Sequence, residues 1–411
     1  MNYSVKHPSK KLEGSITLPA SKSISNRALI IQALCSKPFQ IHNLSEAKDT
    51  RILQEVLQNT ATDIYVGDAG TAMRFLTAFL STQKGPFIID GSKRMRERPI
   101  QLLVDALNQL DANISYLEKE GFPPLHIAGH IIQGGAITLD GGVSSQYISA
   151  LLLISPTLEK GLTIHLRGTL VSKPYIEMTL SMMAYFGVES EWKGNCITIK
   201  QQSYQAKDLT IETDWSAAAF WLELVALAKE ANIILQGPHS HSWQGDQSAL
   251  ALFAPLGIRH EFTPEGLLLQ KAECITDENQ YNLLSTPDLA QALCCTLAGL
   301  NKQANISGLQ TLGIKETDRL AALQQELAKF SVQISIDKQS IRIGSASLQT
   351  PDASLASYND HRMAMCLAPL ALKTEGLIIQ DVGVVDKSYP TFWEDLKKVG
   401  FKITPVTDSS R

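Results

Sequence analysis

Cationic side chains stand at the starts of several apolar helices predicted from this sequence. Lys22 and Arg27 lie in SKSISNR, Arg74 ends GDAGTAMR, and His361 and Arg362 lie in NDHRMAM. A cation in the first turn of a helix opposes the helix dipole, so an anion is expected to compensate it. Free N–H groups together with Lys or Arg at a helix start form a site for phosphate or carboxylate. The pattern therefore predicts that a polyanionic small molecule binds at these helix starts.

A second set of charged residues lies in loops of the C-terminal half. Lys315, Glu316 and Arg319 are closely spaced in KETDRL at a helix start, so we expect them to share a face and to pair among themselves or around a ligand. Asp288 follows Pro287 at another helix start and has few other charges near it in the sequence. Such surroundings suit a general base, which is the role that the sequence predicts for Asp288.

The composition is that of an ordinary globular protein and excludes several classes of function. Of the 411 residues, 44% are apolar and 19% are charged, which favours two domains with sizeable cores. The formal net charge of -4 argues against a general nucleic-acid-binding protein. The chain has no apolar run of membrane-spanning length and no secretory signal, so we expect a cytoplasmic protein without a membrane partner. Its six cysteines have neither metal-ligand nor disulfide spacing, so no metal is expected.

An internal repeat predicts the architecture. An apolar helix followed by a short linker and a strand occurs six times, for example at 27–44, 147–166 and 289–309. A loop, a second amphipathic helix and a strand pair follow in most copies. The first copy is shortened, because 49–70 has room for one helix and a short strand only. Six such units predict an α/β protein with three units in each of two domains.

The motifs SKSISNRA, GDAGTAMR, RMRERP, VSSQY, VSKPYIE, IKETDRL and NDHRMAM, in this order, closely resemble those of the 5-enolpyruvylshikimate-3-phosphate synthases. The resemblance runs over essentially the whole chain. It implies a two-domain enolpyruvyl transferase fold of six βαβαββ-type repeats with pseudo-threefold symmetry, and an active site in the interdomain cleft. It also implies that residues 1–18 plus 214–411 form domain I, with the phosphoenolpyruvate and catalytic groups. Residues 19–213 would form domain II, on the side of shikimate-3-phosphate.

The resemblance further implies the reaction and its participants. The enzyme would transfer the enolpyruvyl group of phosphoenolpyruvate to the 5-hydroxyl of shikimate-3-phosphate by addition and elimination through a tetrahedral ketal. It would act as a monomer, without a cofactor, in the shikimate pathway. The matching motifs imply shikimate-3-phosphate contacts from Lys22, Ser23, Arg27, Ser144, Ser145, Gln146, Ser172, Asp288 and Lys315. They imply phosphoenolpyruvate contacts from Lys22, Gly70, Arg94, Gln146, Arg319, Arg362 and Lys387. The catalytic groups would be Asp288 as base, Glu316 with Lys22 as acid, and His361.

Two residues depart from the family pattern, and two alternatives remain open. Asp68 stands where the family commonly has Asn, and we expect it to cap the following helix. Thr311 stands where Asn often contacts the shikimate phosphate, which puts that contact in doubt. One alternative is a UDP-N-acetylglucosamine enolpyruvyl transferase, although none of the cysteines lies in a comparable basic loop. The other is a non-catalytic repeat scaffold, which would not need carboxylates and cations at equivalent repeat ends.

Overall fold

The chain folds into two compact units. The computed structural model describes residues 1–59, 61–129, 132–142, 144–344 and 348–406, so Val143 of the VSSQY motif lies outside the described residues. Unit 1 consists of Met1–Pro19 with Glu212–Arg411, and unit 2 consists of Ala20–Ile211. The chain therefore leaves unit 1 after its second strand and returns to it close to Asp214.

The elements alternate between helices and short strands. The described residues form twelve α-helices: α1 (Lys22–Leu34), α2 (Lys48–Gln58), α3 (Gly70–Leu80), α4 (Gln101–Asn108), α5 (Ser145–Ile154), α6 (Lys173–Tyr185), α7 (Trp215–Leu227), α8 (Ala249–Phe253), α9 (Ala290–Gly299), α10 (Arg319–Ala328), α11 (His361–Leu367) and α12 (Phe392–Lys398). Over the same residues, none of the helices is long and apolar enough to cross a membrane.

The strands belong to six sheets among the described residues. They are β1 (Asn2–Lys6), β2 (Lys11–Thr17), β3 (Ile41–His42), β4 (Asp63–Tyr65), β5 (Phe87–Asp90), β6 (Ile114–Tyr116), β7 (Leu125–Ile127), β8 (Gly135–Asp140), β9 (Leu162–Arg167), β10 (Glu191–Lys193), β11 (Cys196–Ile199), β12 (Leu209–Thr210), β13 (Glu230–Gln236), β14 (Ile258–Thr263), β15 (Gly266–Lys271), β16 (Gln280–Asn282), β17 (Ala304–Ser307), β18 (Ile334–Ile336), β19 (Ile341–Ile343), β20 (Leu377–Ile379) and β21 (Lys402–Val406).

Four sheets have the same topology, in which a parallel pair of strands is extended by an antiparallel hairpin. The orders are β4-β5-β7-β6 and β8-β9-β11-β10 in unit 2, and β2-β13-β15-β14 and β16-β17-β19-β18 in unit 1. In three of them a single apolar helix connects the two parallel strands. Parallel strands need such a crossover, because a tight turn cannot join them. Between β2 and β13 the chain also forms all of unit 2.

The two remaining sheets are smaller. In unit 1, the N-terminal strand β1 pairs antiparallel with both β20 and β21. In unit 2, β3 and β12 form a parallel pair of two residues each. Among its described residues, the chain between α2 and α3 contains β4 and no hairpin. Each unit thus has three sheets among its described residues, while the equivalence of the six repeats stays a prediction.

The buried helices explain why polar groups collect at helix ends. In α7, every residue except Ser216 is buried, including Trp215, Phe220 and Trp221. A helix that is apolar on all sides lies inside a core, and α7 packs against α9, which packs against α11. In unit 2, α3 packs against α5 in the same manner. Because the bodies of these helices are covered, their first turns are where functional side chains can reach a ligand.

Side-chain caps satisfy backbone groups at five of the helix starts in the described residues. Ser21, Ser144, Asp214, Asp318 and Asp360 each accept a hydrogen bond from a backbone N–H in the first turn of the helix that follows. Such caps satisfy N–H groups that the helix leaves without partners.

The expectation that Asp68 caps α3 is wrong. The residue before α3 is Ala69, no side chain caps this helix, and the Asp68 carboxylate instead accepts a hydrogen bond from the Ser92 hydroxyl. Asp68 lies too early in the chain to act as the cap, because α3 begins only at Gly70.

One buried carboxyl of unit 1 lies far from these helix starts. Glu223 in the middle of α7 is fully buried, and within the described residues neither of its carboxyl oxygens has a hydrogen-bond partner. Burial, and next the nearby Cys366 thiol, raise the pKa of Glu223 well above its ordinary value. The folded protein therefore holds a neutral carboxyl that becomes ionised when the chain unfolds.

We expect Glu223→Gln to remove a pH dependence of stability. The contribution of Glu223 to the free energy of unfolding is fully present below pH 4.5. It is lost as the pH rises, by up to ~1.4 kcal/mol per pH unit, because the unfolded chain then releases a proton that the folded chain retains. Urea unfolding at pH 5 and pH 8 should show that the variant gains stability relative to the wild type at the higher pH. Exposed Glu261→Gln serves as the control. If the variant and the wild type differed in their free energy of unfolding by the same amount at both pH values, Glu223 would not be the source of the pH dependence.

Candidate active site

Seven charged side chains of unit 1 meet where three helices start. Asp288 lies in the turn before α9, Lys315 and Glu316 lie in the loop before α10, and Arg319 is the first residue of α10. Asp360 caps α11, Arg362 lies in its first turn, and Lys387 ends the turn of 382–387. We call these seven residues the carboxylate–cation cluster. Three short segments at helix starts and the turn of 382–387 therefore place them together.

Arg319 connects three carboxylates of the cluster. Its Nε donates to Asp360 Oδ2 at 2.7 Å, its Nη1 to Asp288 Oδ1 at 3.1 Å, and its Nη2 to Glu316 Oε2 at 3.0 Å and to Asp360 Oδ1 at 3.4 Å. Burial acts to lower the pKa of Arg319, but Asp360, Glu316 and Asp288 outweigh it and raise the pKa above its ordinary value. A guanidinium has five N–H groups, so these contacts leave one N–H on Nη1.

Asp288 lies among cations. Its Oδ2 accepts from Arg362 Nη2 at 3.1 Å, Lys315 Nζ is 3.6 Å from its Oδ1, and its backbone carbonyl accepts from Arg362 Nη1 at 3.1 Å. Burial acts to raise the pKa of Asp288, but Arg362, Lys315 and Arg319 together lower it below the usual range. Asp288 thus has few charges near it in the sequence but several in space, since Arg319 and Arg362 lie 31 and 74 residues away in the chain.

The cluster carries a small excess of positive charge. Lys387 Nζ lies 3.2 Å from Glu316 Oε1, so Glu316 contacts both a lysine and Arg319. Burial lowers the pKa of Lys315, although the Asp288 carboxylate acts in the opposite direction. Four cations face three carboxylates in the cluster. An added anion would meet attraction from this group of side chains.

His361 is buried beside the cluster. Its ring is 2% exposed, and Nδ1 lies 3.7 Å from Asp360 Oδ1. This separation is longer than a hydrogen bond. Its catalytic role stays a prediction.

Arg27 is the central cation of unit 2. It is 3% exposed and donates to the Thr179 hydroxyl at 2.7 Å, the Ser23 carbonyl at 2.8 Å, the Ser149 hydroxyl at 3.0 Å and the Tyr175 carbonyl at 3.3 Å. Burial lowers its pKa to about 10. Among the described residues its guanidinium forms no ion pair with a carboxylate. A buried cation held by neutral acceptors favours an anionic ligand.

The remaining residues predicted in unit 2 lie at neighbouring helix starts. Lys22 Nζ is 3.5 Å from Asp49 Oδ2, and Gln146 Nε2 donates to the Thr71 hydroxyl at 3.2 Å, which joins the start of α5 to that of α3. Ser145 is the first residue of α5. Ser172 precedes α6 in a left-handed conformation with φ 53°. A strained non-glycine residue at a helix start is a recognised feature of ligand sites.

The predicted residues Gly70 and Arg94 have different surroundings. Gly70 is the first residue of α3, and a Cβ there would come within 2.6 Å of Arg98 Nη1. Arg94 is 40% exposed and pairs with Glu97 at 3.2 Å. Thr311, the departure noted in the sequence, is buried, and among the described residues its hydroxyl has no hydrogen-bond partner.

Sequence reasoning missed three residues of these groups. Asp360, which anchors Arg319, could have been found, because an Asp before an apolar helix that begins with His-Arg is an evident N-cap. Asp49, the partner of Lys22, and Arg98, which contacts Gly70, had no comparable local signal. Their proximity depends on how α2 and the 92–99 loop pack.

Comparisons with known proteins give one consistent family. A model of the EPSP synthase (3-phosphoshikimate 1-carboxyvinyltransferase) family matches residues 6–65 and 54–396. A 3-phosphoshikimate 1-carboxyvinyltransferase of Bacteroides fragilis (strain YCH46) is 45% identical over 98% of this chain and 99% of its own length. One from Aliivibrio fischeri (strain MJ11) is 35% identical over 95% and 98%.

Solved structures have the same fold. An EPSP synthase from Acinetobacter baumannii has a TM-score of 0.75 at 20% identity and covers 98% of this chain and 100% of its own. The enolpyruvyl transferase NikO from Streptomyces tendae has a TM-score of 0.72 at 16% identity, with 98% of both chains covered. The predicted two-domain α/β enolpyruvyl transferase fold is therefore confirmed.

We expect Arg319→Met to destabilise the protein by about 3–5 kcal/mol, because it leaves the fully buried Asp360 carboxylate without its guanidinium partner. Urea unfolding followed by fluorescence measures the loss. Arg259→Met removes an exposed arginine from the same unit and should change the free energy of unfolding by no more than about 0.5 kcal/mol. Equal effects of the two substitutions would show that the carboxylates do not depend on Arg319.

Proposed function

Since the chain belongs to the EPSP synthase (3-phosphoshikimate 1-carboxyvinyltransferase) family, we propose that its two groups of polar side chains bind the two substrates of that reaction and move its protons. The enzyme transfers the enolpyruvyl group of phosphoenolpyruvate to the 5-hydroxyl of shikimate-3-phosphate in the shikimate pathway to chorismate and the aromatic amino acids. Membership of this family excludes both the UDP-N-acetylglucosamine enolpyruvyl transferase and the non-catalytic scaffold.

The chemistry sets what the side chains must do. The 5-hydroxyl loses a proton as its oxygen bonds to C2 of phosphoenolpyruvate, while C3 gains a proton. The resulting tetrahedral ketal then loses phosphate, which regenerates the double bond. A base, an acid and preorganised cations around the phosphate and carboxylate groups are therefore required.

The unit 2 group is proposed to bind shikimate-3-phosphate. Arg27 supports this assignment most directly, because it is a buried cation without a carboxylate partner among the described residues. Around it, helix starts offer the hydroxyl, amide and ammonium groups of Ser23, Ser144, Ser145, Gln146, Ser172 and Lys22. From the unit 1 cluster, Lys315 and Asp288 are proposed as further contacts to this substrate.

The cations of the carboxylate–cation cluster are proposed to bind phosphoenolpyruvate. Arg362 and Lys387 each contact a carboxylate that an anionic ligand could replace, and Arg319 has one N–H on Nη1 beyond its four contacts. Lys22, Gly70, Arg94 and Gln146 are proposed as contacts from unit 2. A ligand with both a phosphate and a carboxylate suits several cations better than one.

Asp288 is proposed as the base that takes the proton of the 5-hydroxyl. Arg362, Lys315 and Arg319 lower the pKa of Asp288, so the carboxylate is ionised but weakly basic before substrate binds. When anionic substrate groups neutralise Arg362 and Lys315, the pKa of Asp288 rises towards the working pH, where a base is most effective. Glu316, with Lys22, is proposed as the acid for C3, and His361 as a further catalytic group.

The observation that carries this proposal is the pair of contacts that joins Asp288 to Arg319 and Arg362. These contacts support the proposal because they join the proposed base to two cations that are proposed to bind phosphoenolpyruvate. We also propose that the enzyme is a cytoplasmic monomer, because all of the proposed side chains belong to one chain and both substrates are small anionic metabolites. Sedimentation at working concentration should give the mass of one chain.

Inorganic phosphate is expected to appear from phosphoenolpyruvate only when shikimate-3-phosphate is also present, and a colorimetric phosphate assay measures it. Asp288→Asn should lower kcat by about 100- to 10,000-fold, because the amide cannot accept the proton. Asp337→Asn, an exposed carboxylate of the same unit, should leave kcat unchanged. Release that depends on a nucleotide sugar, or none with both substrates, would refute the assignment.

Lys315→Met is expected to move the acidic limb of the kcat/KM profile to higher pH. The substitution removes one of three cations that lower the pKa of Asp288, so this carboxyl becomes protonated at a higher pH in the free enzyme. The measurement is kcat/KM for phosphoenolpyruvate between about pH 3 and pH 7, the range that includes the titration of a carboxyl whose pKa is lowered. Ionisation of the substrate is the same for both enzymes and cancels. A limb at the same or a lower pH would show that Lys315 does not act on Asp288.

A further inference from the structure

The turn that precedes α11 has an unusual backbone conformation. The Asp360 N–H donates to the Ser357 carbonyl at 2.9 Å and closes a turn of four residues. Its two central residues, Tyr358 and Asn359, both have φ 54°. Two successive positive φ values favour Gly and Asn, whereas a bulky residue such as Tyr is rare in this conformation. A contact elsewhere must therefore hold Tyr358 in a conformation that its own side chain disfavours.

Glu326, near the end of α10, makes this contact. Its side chain is fully buried, and its Oε1 accepts a hydrogen bond from the Tyr358 hydroxyl at 2.6 Å. Its Oε2 accepts from the backbone N–H of Ala356 at 3.1 Å. Burial, and next Glu326, raise the pKa of Tyr358 well above its ordinary value, so the hydroxyl keeps the proton that it donates. One buried carboxylate thus holds both the side chain of Tyr358 and the backbone that precedes it.

Lys329 compensates the charge of this buried carboxylate. Its Nζ donates to Glu326 Oε1 at 2.9 Å and to Oε2 at 2.8 Å, and it also donates to the Ser354 carbonyl at 2.9 Å. Both oxygens of Glu326 are therefore hydrogen-bonded, as a buried carboxylate requires. The network ties the 354–358 segment to α10, the helix that begins with Arg319.

The turn leads directly into the start of α11, where two residues of the carboxylate–cation cluster lie. Asp360 caps this helix and accepts from Arg319, and Arg362 in its first turn donates to Asp288. These two side chains follow Tyr358 within one helical turn. A shift of the Tyr358 backbone would therefore move them relative to their partners on the other loops.

We propose that Tyr358 and Glu326 are positioning residues, which set the place of Arg362 for phosphoenolpyruvate without touching the substrate. The inference rests on the proposed function, since Arg362 is proposed to bind phosphoenolpyruvate. It explains a tyrosine at a position where glycine would adopt the backbone more easily. Glycine would relieve the backbone but would lose the hydroxyl that Glu326 holds.

The test compares Tyr358→Phe with Tyr204→Phe. Each removes one tyrosine hydroxyl, but that of Tyr204 donates to the Leu153 carbonyl near the end of α5, away from the helix starts. Tyr358→Phe should raise KM for phosphoenolpyruvate by about 3- to 10-fold, because part of the energy of one hydrogen bond then goes into repositioning Arg362. KM for shikimate-3-phosphate should change by less than about twofold. Tyr204→Phe should leave both KM values as in the wild type.

Substitutions of Glu326 test the other end of the contact. Glu326→Gln keeps a carbonyl oxygen that can accept from Tyr358, so its KM for phosphoenolpyruvate should lie between those of the wild type and Glu326→Met. Glu326→Met combined with Tyr358→Phe should show less than the product of the two separate effects, since both remove the same hydrogen bond. Effects that multiply would show that the two residues act separately and would overturn the inference. If Glu326→Met does not fold, the same comparison is made with Glu326→Gln.

Hydrogen exchange provides a readout that does not depend on turnover. The backbone N–H groups of 355–367 should exchange faster in Tyr358→Phe than in the wild type, because the start of α11 is held less firmly. Those of α5 should exchange at the wild-type rate. Unchanged exchange over 355–367 would overturn the inference, and so would faster exchange in both segments, which indicates a general loss of stability.

The outcomes separate this inference from the proposed function. If the wild type turns over and Tyr358→Phe has the KM values of Tyr204→Phe, the inference is overturned while the function stands. Equal rises of both KM values together with a lower melting temperature would also overturn it, since they indicate a structural role. If the wild type does not turn over, the proposed function fails, and hydrogen exchange alone decides whether Tyr358 and Glu326 hold the start of α11.

Discussion

The guanidinium of Arg319 holds the carboxylate–cation cluster of unit 1 together. It contacts Asp288 before α9, Glu316 before α10 and Asp360 at the cap of α11, so three loops share one cation. Without it, the buried Asp360 carboxylate would lose its guanidinium partner, and the three loops would lose the cation that they share. The bodies of α9 and α11 are buried, which fixes their positions. The loops that precede them are therefore held close to Arg319.

The two units stabilise their cations in opposite ways, and this difference suits their chemistry. In unit 1, Arg362 and Lys387 contact the carboxylates of Asp288 and Glu316, which are proposed to transfer protons. In unit 2, Arg27 is held by hydroxyl and carbonyl oxygens, which cannot neutralise its charge. Under the proposed function, a substrate phosphate would compensate the charge of Arg27 in unit 2. In unit 1, an anion would have to displace a carboxylate from its cation, which would raise the pKa of that carboxylate.

Local sequence patterns predicted the α/β class, the helix starts and the residues that cluster there, because caps and apolar periodicity act over a few residues. They could not predict the surroundings of Asp288, since Arg319 and Arg362 come from loops 31 and 74 residues away. Nor do they show that Asp68 is not a cap, because the exact start of α3, two residues later at Gly70, depends on the fold. Arg98 resembled any loop arginine, because its burial against Gly70 depends on how the 92–99 loop packs.

A cost in stability accompanies this arrangement. Arg27, Arg98 and the carboxylate–cation cluster are charges held at the edge of apolar cores, where each costs free energy unless a partner or a ligand compensates it. Glu223 is different. It is buried within α7 and avoids the cost of a buried charge by staying protonated and neutral. The charged groups near helix starts lack that option when they must bind phosphate. Their cost is therefore offset by the burial of the apolar helices behind them, whose first turns position these charges.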